Sequence, residues 1–334
     1  MFEKVLIEKG VLDHPRAISI LEKVKYKTLL EIDTIDDVFN RVKKPYLQKR
    51  SNLNLFIGRK TGSLVKEAPA AYGESGHPHY YFIHAYNCFY ECDYCYLQGH
   101  FHSPDLVFFI NHEDIASEML TIINKTPDHL KPCFHAGEFS DSLALSHLSG
   151  EISFYFNFFK NHPRAMLELR TKSANTRALE DLTPLNNIIT SFSLSPEQQI
   201  REHDLKTAPL KARLAAISRL HKKNFPIGIH LDPIIYNDHI VDEYQQLIAE
   251  LKNAIPLEKI NYISLGVVRF TKDVFHQMQK NYPNSSIHAG EFIKSFDGKI
   301  RYNRPMRLWL LQKIKDLLVH SGGQSDKIYL CMED

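Results

Sequence analysis

The sequence predicts an α/β protein with a mostly parallel sheet and helices packed outside it. The main observation is that, from residue 80 onward, apolar runs bounded by turn residues alternate with amphipathic stretches. A second observation is the size of the chain, since 334 residues with 43% hydrophobic content suffice for one barrel-sized domain or two ordinary ones. Periodicity alone fits either a barrel or an open, doubly wound sheet.

The predicted elements follow one another in a regular order. Six apolar runs have strand character, at residues 80–85, 132–136, 166–171, 188–194, 226–235 and 262–270. Helical patterns, with apolar residues three and four apart, cover residues 113–123, 151–159, 210–223 and 241–254. Residues 1–78 lack this alternation and are predicted to be an N-terminal extension to a core at residues 79–283. Residues 284–334 are predicted to form a C-terminal cap, with a helix at 306–318 and a strand at 328–332.

Composition narrows the class of protein. The sequence has no run of eighteen apolar residues and no basic start followed by an apolar segment, so we expect a cytoplasmic protein with no membrane partner. A net charge of +2 neither demands nor excludes a polyanionic partner. Five cysteines in so long a chain do not indicate a disulfide framework.

Three of the cysteines, Cys88, Cys92 and Cys95, lie within eight positions of the chain. Their spacing lets one short loop place three thiolates around a 4Fe-4S cluster, which is normally held by four. The fourth iron would then be open for a substrate or cofactor. The alternative is a zinc site completed by His84 or His100 in a non-catalytic adaptor protein, although zinc ligands usually form two separated pairs.

This cysteine motif resembles the signature of the radical S-adenosylmethionine superfamily. The resemblance implies a partial TIM barrel of six βα units, (β/α)6, with the cluster loop at the C-terminal end of the first strand. It also implies that the open iron binds S-adenosylmethionine and that reduction cleaves this cofactor to a 5'-deoxyadenosyl radical. The electron would come from a donor such as a flavodoxin or a ferredoxin.

A second motif follows the second predicted strand. Gly137 and Glu138 resemble the superfamily's second motif, in which the glycine allows close backbone approach to the cofactor. The glutamate of that motif accepts charge-assisted hydrogen bonds from the ammonium group of the cofactor methionine. The simpler alternative is an ordinary turn from strand to loop.

Most of the chain also resembles the spore photoproduct lyase family. The similar segments are residues 55–61, 94–98, 171–172, 192–193, 213–216 and 269–272. This resemblance implies that Ser140, Lys172 and Ser193 bind the cofactor. It also implies that Tyr96, with Tyr94 beside it, lies near the path of hydrogen transfer.

The sequence departs from that family at one important position. Where the family has a cysteine that returns a hydrogen atom to the product radical, this chain has Glu138. A carboxyl group is ionised at neutral pH and its O–H bond is far stronger than a thiol S–H bond, so it cannot take over this role. Three explanations remain open: Cys133 or Cys331 substitutes, Tyr96 donates directly, or the substrate is a different one.

The substrate follows from resemblance alone. A DNA lesion would have to be extruded into the site, which requires cations for phosphates and aromatic surfaces for stacking. Candidates are Arg269, Arg301, Tyr302 and the basic segment at residues 41–60, which contains no acidic residue. The alternative is a radical enzyme of the same scaffold that modifies a peptide or a small metabolite, in which case these cations would be incidental.

Overall fold

The structure is a computed structural model that describes residues 2–39, 52–69 and 76–333. The strands in chain order are β1 (Phe2–Glu8), β2 (Tyr26–Ile32), β3 (Leu55–Gly58), β4 (Val65–Glu67), β5 (His79–Phe82), β6 (Ala85–Tyr86), β7 (Glu91–Cys92), β8 (Leu106–Phe109), β9 (Cys133–Ala136), β10 (Met166–Thr171), β11 (Ile188–Ser193), β12 (Asp204–Leu205), β13 (Ile227–Ile234), β14 (Tyr262–Val267), β15 (Arg269–Phe270), β16 (Phe292–Lys294), β17 (Ile300–Tyr302) and β18 (Ile328–Leu330). The α-helices are α1 (Pro15–Lys23), α2 (Leu97–His100), α3 (His112–Lys125), α4 (Ser146–Ser149), α5 (Glu151–Asn161), α6 (Arg177–Glu180), α7 (Glu197–His203), α8 (Leu210–Lys222), α9 (Ile240–Ala254), α10 (Lys272–Asn281) and α11 (Arg304–His320). Within the described ranges, no helix has the length and apolar character needed to cross a membrane.

The main sheet confirms the six predicted strands. Its order is β18-β14-β13-β11-β10-β9-β5-β4, and every neighbouring pair from β5 to β18 is parallel. Strand β4 pairs antiparallel with β5 at one edge. The carboxyl ends of the parallel strands therefore meet at one end of the sheet, which is where barrel enzymes assemble their sites.

The helices that connect these strands cover the sheet through apolar stripes. In α8, for example, Leu210, Leu214, Ile217 and Leu220 recur at three- and four-residue spacing and are all buried. The strands are buried on both faces, as expected of a parallel sheet under helices, and β11 has no exposed residue at all. All four predicted helices of the core are confirmed within two residues.

The N-terminal region differs from the prediction. Strand β1, helix α1 and strand β2 form a parallel βαβ unit, and β3 and β8 extend the same sheet in the order β2-β1-β3-β8-β6. Strands cross the predicted boundary at residue 78, because β4 belongs to the main sheet and β8 to this one. The periodicity did not reveal β2 because it is an exposed edge strand, with five consecutive exposed residues and therefore no apolar run.

Three buried titratable side chains, those of His84, His112 and Glu151, line a small cavity at the junction between the two sheets. The Nδ1 atom of His84 is 3.9 Å from the Oε1 atom of Glu151. Burial lowers the pKa of His84 to about 4 and raises the pKa of Glu151 to about 7. At pH 7 the imidazole of His84 is therefore neutral and does not balance a negative charge on Glu151.

This junction gives a prediction about pH and stability. The pKa of Glu151 is about 7 in the folded state, against an ordinary value of 4.5. Between these two pH values the folded protein binds more protons than the unfolded chain, so its stability falls as the pH rises through 7. The glutamine of Glu151→Gln cannot ionise, so the variant should not lose this stability. Measured by urea denaturation, the free energy of unfolding of the variant minus that of the wild type should increase by roughly 3 kcal/mol from pH 5 to pH 8.

A matched control for this prediction is Glu113→Gln. The hydrogen bond and charge of Arg16 lower the pKa of Glu113 to about 2, so its titration is complete below pH 5. The difference between this variant and the wild type should stay constant from pH 5 to pH 8. A pH-independent difference for Glu151→Gln as well would show that Glu151 does not titrate in this range.

Candidate functional site

A cavity of about 430 Å³ opens at the carboxyl ends of the parallel strands. Its walls come from the cysteine loop after β5 and from the ends of β9, β10, β11, β13 and β14. All of the predicted cysteine, cofactor and tyrosine positions line it, namely Cys88, Cys92, Cys95, Tyr94, Tyr96, Gly137, Glu138, Ser140, Lys172 and Ser193. Residues more than 100 positions apart in the chain thus share one cavity.

The cysteine loop is fixed by polar contacts on both sides. Before it, the side-chain amide of Asn87, a residue with a φ of 63°, donates to the carbonyl oxygens of Ser103 and Asp105, both at 2.7 Å. In the loop, β7 pairs antiparallel with β12, more than 100 residues later. After it, the amide of Gln98 donates to the carbonyl of Asp93 at 2.7 Å. These contacts hold the backbone of the loop without using a thiol.

The three thiols have the donor chemistry that an iron-sulfur cluster requires, since such clusters are held by cysteine thiolates. All three line the same cavity. Burial raises the pKa of all three thiols, so metal ions would be needed to hold them as thiolates.

A buried network of charges lies beside Cys92. The Nζ atom of Lys172 is 4.0 Å from the Cys92 sulfur, donates to the Tyr94 hydroxyl, and is 3.0 Å from the Oδ1 atom of Asp204. The fully buried Arg213 donates to the other carboxylate oxygen of Asp204 at 3.0 Å. Burial alone would raise the pKa of Asp204, but Lys172 and Arg213 lower it to about 2. The network places two cations and one carboxylate next to the cysteine loop.

This network engages two of the predicted site residues, Lys172 and Tyr94. Lys172 lines the cavity but contacts Tyr94 and Asp204 directly, so its place in cofactor binding stays a prediction. The hydroxyl of Tyr94 also donates to Asp204, whereas Tyr96 is 40% exposed at the cavity. Both tyrosines line the cavity, and Tyr96 is the more exposed of the two.

The second motif, Gly137 and Glu138, has a backbone conformation that requires glycine at position 137. Gly137 has a φ of 92°, and a Cβ atom there would lie 2.7 Å from the Ser142 hydroxyl oxygen, so only glycine fits. Next to it, Asp141 accepts hydrogen bonds from the Thr171 hydroxyl and from the backbone N–H of Lys172, both at 2.7 Å. Asp141 thereby ties the loop after β9 to the loop after β10. Sequence reasoning missed this role, although an aspartate at a strand end is a common signal for a turn.

The predicted substrate residues divide into two groups. Arg269 lines the cavity, where its guanidinium makes two 3.0 Å hydrogen bonds to Asp232. Arg301 and Tyr302 are only 3% and 1% exposed, so the expectation that they face a DNA substrate is wrong for this structure. Arg301 pairs with Asp297 and with Glu333, and the Tyr302 hydroxyl accepts from a backbone N–H.

The hairpin that contains Arg301 exposes other residues instead. Phe296, at its tip between β16 and β17, is 87% exposed, and Lys294 beside it is also exposed. Lys299, on the other side of the tip, lines the main cavity. Of the basic segment at residues 41–60, positions 41–51 lie outside the described residues, and Arg59 forms an ion pair with Asp114.

The two remaining cysteines lie in different places. Cys133 is the first residue of β9 and lines a separate cavity of about 70 Å³ with Tyr262 and Tyr329. That cavity is at the opposite end of the sheet from the cysteine loop, because Cys133 and Tyr262 both begin their strands. Cys331 is nearer the site, with its sulfur 3.6 Å from the Nη2 atom of Arg269, but it is buried.

The sequence of this chain is similar to a known family of proteins. The family model described as spore photoproduct lyase matches residues 1–304. The spore photoproduct lyase of Bacillus subtilis (strain 168) is 26% identical over 296 residues, covering 86% of this chain and 84% of that protein. The protein of the same name from Clostridium acetobutylicum is 20% identical over 335 residues, covering 96% of this chain and 95% of that protein.

Solved structures of such proteins have the same fold. A spore photoproduct lyase complexed with dinucleoside spore photoproduct superposes with a TM-score of 0.81 at 19% identity, covering 99% of this chain and 98% of the other. A double mutant with bound AdoMet and dinucleoside spore photoproduct also gives 0.81 at 19% identity, covering 100% and 99%. The prediction of a partial TIM barrel is therefore confirmed.

Proposed function

The chain belongs to the spore photoproduct lyase family, and from this premise we propose that it is a radical S-adenosylmethionine enzyme acting on a lesion in DNA. The observation that carries the proposal is the single cavity that contains the three cysteines and every predicted cofactor residue. Family membership supports the reaction, and the site supports the claim that this chain retains the means to perform it.

The residues of the cavity have separate tasks in this proposal. Cys88, Cys92 and Cys95 would hold a 4Fe-4S cluster, and Glu138 with Ser193 would bind S-adenosylmethionine. When bound and reduced by a flavodoxin or a ferredoxin, the two cofactors would supply the radical that abstracts hydrogen.

The substrate side of the cavity fits a nucleic acid. Two of the solved structures similar to this chain contain dinucleoside spore photoproduct. Here the cavity mouth carries Lys299, and the hairpin tip presents Phe296 with Lys294. Cations suit phosphate groups, and an exposed ring offers a stacking surface for a base.

Tyr96 is the donor that we assign for the return of hydrogen. Its phenolic O–H bond breaks as a C–H bond forms on the product radical, and the tyrosyl radical left behind is reduced by a second electron from the flavodoxin or ferredoxin, with a proton from solvent. Tyr96 lines the cavity and is exposed, whereas Cys133 lies at the other end of the sheet and Cys331 is buried behind Arg269. Tyr96→Phe removes only the hydroxyl, so the variant should still cleave S-adenosylmethionine but form at least tenfold less repaired product per 5'-deoxyadenosine.

Cys331→Ala is the matched comparison for Tyr96→Phe. If Tyr96 is the donor, the cysteine variant should keep most of the repair yield per cofactor cleaved. The opposite result, with repair lost in Cys331→Ala and kept in Tyr96→Phe, would assign the hydrogen to the thiol.

The whole proposal is tested with anaerobically reconstituted protein. Dithionite, S-adenosylmethionine and dinucleoside spore photoproduct are added, and 5'-deoxyadenosine and repaired dinucleoside are measured by chromatography. Both products are expected. Formation of 5'-deoxyadenosine without repair would favour a peptide or metabolite substrate, and stoichiometric zinc without iron would overturn the radical chemistry.

A further inference from the structure

The inference concerns residues 331–333, which lie beyond the 304 residues that the family model matches. After β18, the backbone N–H of Cys331 donates to the carbonyl of Leu265 at 2.7 Å and continues the pairing with β14. The chain then turns at Met332, which has a φ of 55°, a conformation that costs free energy for any residue with a Cβ atom. Surrounding contacts must hold this conformation.

The contacts that hold it come from Glu333. Its carboxylate is 4% exposed and accepts two hydrogen bonds from the Nε atom of Arg307, at 2.8 and 3.0 Å. The Nη1 atom of Arg301 is 3.5 Å from the same carboxylate and donates to the Met332 carbonyl at 3.3 Å. Buried ion pairs with this geometry fix a backbone firmly. We call Glu333, Arg301 and Arg307 the carboxylate clamp.

The clamp places the Met332 side chain at the wall of the main cavity. Its sulfur is 3.3 Å from the Nε atom of Arg269 and 3.6 Å from the Nζ atom of Lys299, and all three residues line the cavity. Arg269 is therefore held on two sides, by Asp232 and by Met332. Its guanidinium is charge-paired rather than free.

We propose that Met332, held by the carboxylate clamp, is a specificity-determining residue that shapes the side of the cavity lined by Arg269 and Lys299 and orients Arg269. This inference rests on the proposed function and deepens it. The thioether is polarisable and packs well against aromatic edges, so it suits the bases of a dinucleotide lesion. Arg301, which is not accessible to a substrate, thus acts on the site through Met332.

The first test compares Met332→Ala with Met332→Leu in reconstituted enzyme. Truncation removes the wall and the contact to Arg269, so KM for dinucleoside spore photoproduct should rise by roughly tenfold, the ratio that corresponds to about 1.4 kcal/mol, with a smaller change in kcat. Leucine keeps the volume but has no sulfur to contact Arg269, so it should restore only the part of the affinity that depends on the wall. Leu330→Ala, on the exposed face of β18, is the control and should leave KM unchanged. An unchanged KM for Met332→Ala would overturn the assignment.

A second test does not depend on the reaction. Glu333→Gln removes the charge of the clamp, so the strand end should open and the buried Cys331 should react with iodoacetamide at least tenfold faster, as followed by peptide mass spectrometry. Equal rates in the variant and the wild type would contradict the clamp. If the wild type repairs no lesion but Glu333→Gln still exposes Cys331, the proposed function fails while the clamp stands.

Discussion

Cys92→Ala is expected to abolish both the iron-sulfur cluster and the cleavage of S-adenosylmethionine. With only two cysteine ligands left, a second iron of the cluster would have no protein ligand. Cluster binding and activity should therefore fall by more than the roughly 10–100-fold that follows from changes to residues around the ligands of a metal site. Cys88→Ala and Cys95→Ala should behave in the same way. After anaerobic reconstitution, iron content and visible absorption measure the loss of the cluster, and the yield of 5'-deoxyadenosine measures the loss of cleavage.

Cys133→Ala is the control for the cluster ligands. It removes an equally buried thiol at the far end of the sheet, so the variant should keep its iron and its cofactor cleavage. A cluster that survives in any one of the three loop variants, or disappears in Cys133→Ala, would require a different set of ligands.

Arg213→Ala is expected to destabilise the protein by about 3 kcal/mol, the lower end of the usual effect of breaking a buried ion pair, because Lys172 still pairs with Asp204 in the variant. The guanidinium is fully buried, and it donates to Asp204 at 3.0 Å and to the Ser193 carbonyl at 2.8 Å. Its removal leaves both acceptors without a donor that they use in the folded state. Urea denaturation at pH 7 measures the free energy of unfolding.

Arg219→Ala offers a matched comparison on the same helix. Its side chain is 47% exposed and pairs with Glu180 at 3.1 Å, so solvent screens the interaction and the loss should not exceed about 1 kcal/mol. Similar losses for the two arginines would mean that the buried network contributes no more than a surface ion pair.

Periodicity predicted the parts of the fold in which both faces of an element are buried. Strands such as β11 and helices such as α8 carry continuous apolar runs or stripes, and these appear in the sequence directly. The resemblance to known families supplied the cofactor positions, and Lys172 and Ser193 do reach the same cavity as the cysteines.

The features that the sequence did not reveal depend on tertiary contacts, which leave no local pattern in the sequence. Asp204 is an ordinary polar residue in the sequence, and only the fold brings it between Lys172 and Arg213. Arg301 and Tyr302 look like surface residues because their neighbours are charged, yet ion pairs and a hydrogen bond compensate for their burial.

The short pairing of β7 with β12 has a consequence for biosynthesis. A ribosome makes Cys92 more than 100 residues before it makes the partner strand at Asp204 and Leu205. The iron-binding loop of a nascent chain thus lacks this strand pairing until residues 204 and 205 have been made. We expect iron delivery to be productive only after that point, so assembly factors should act once the partner strand has been made.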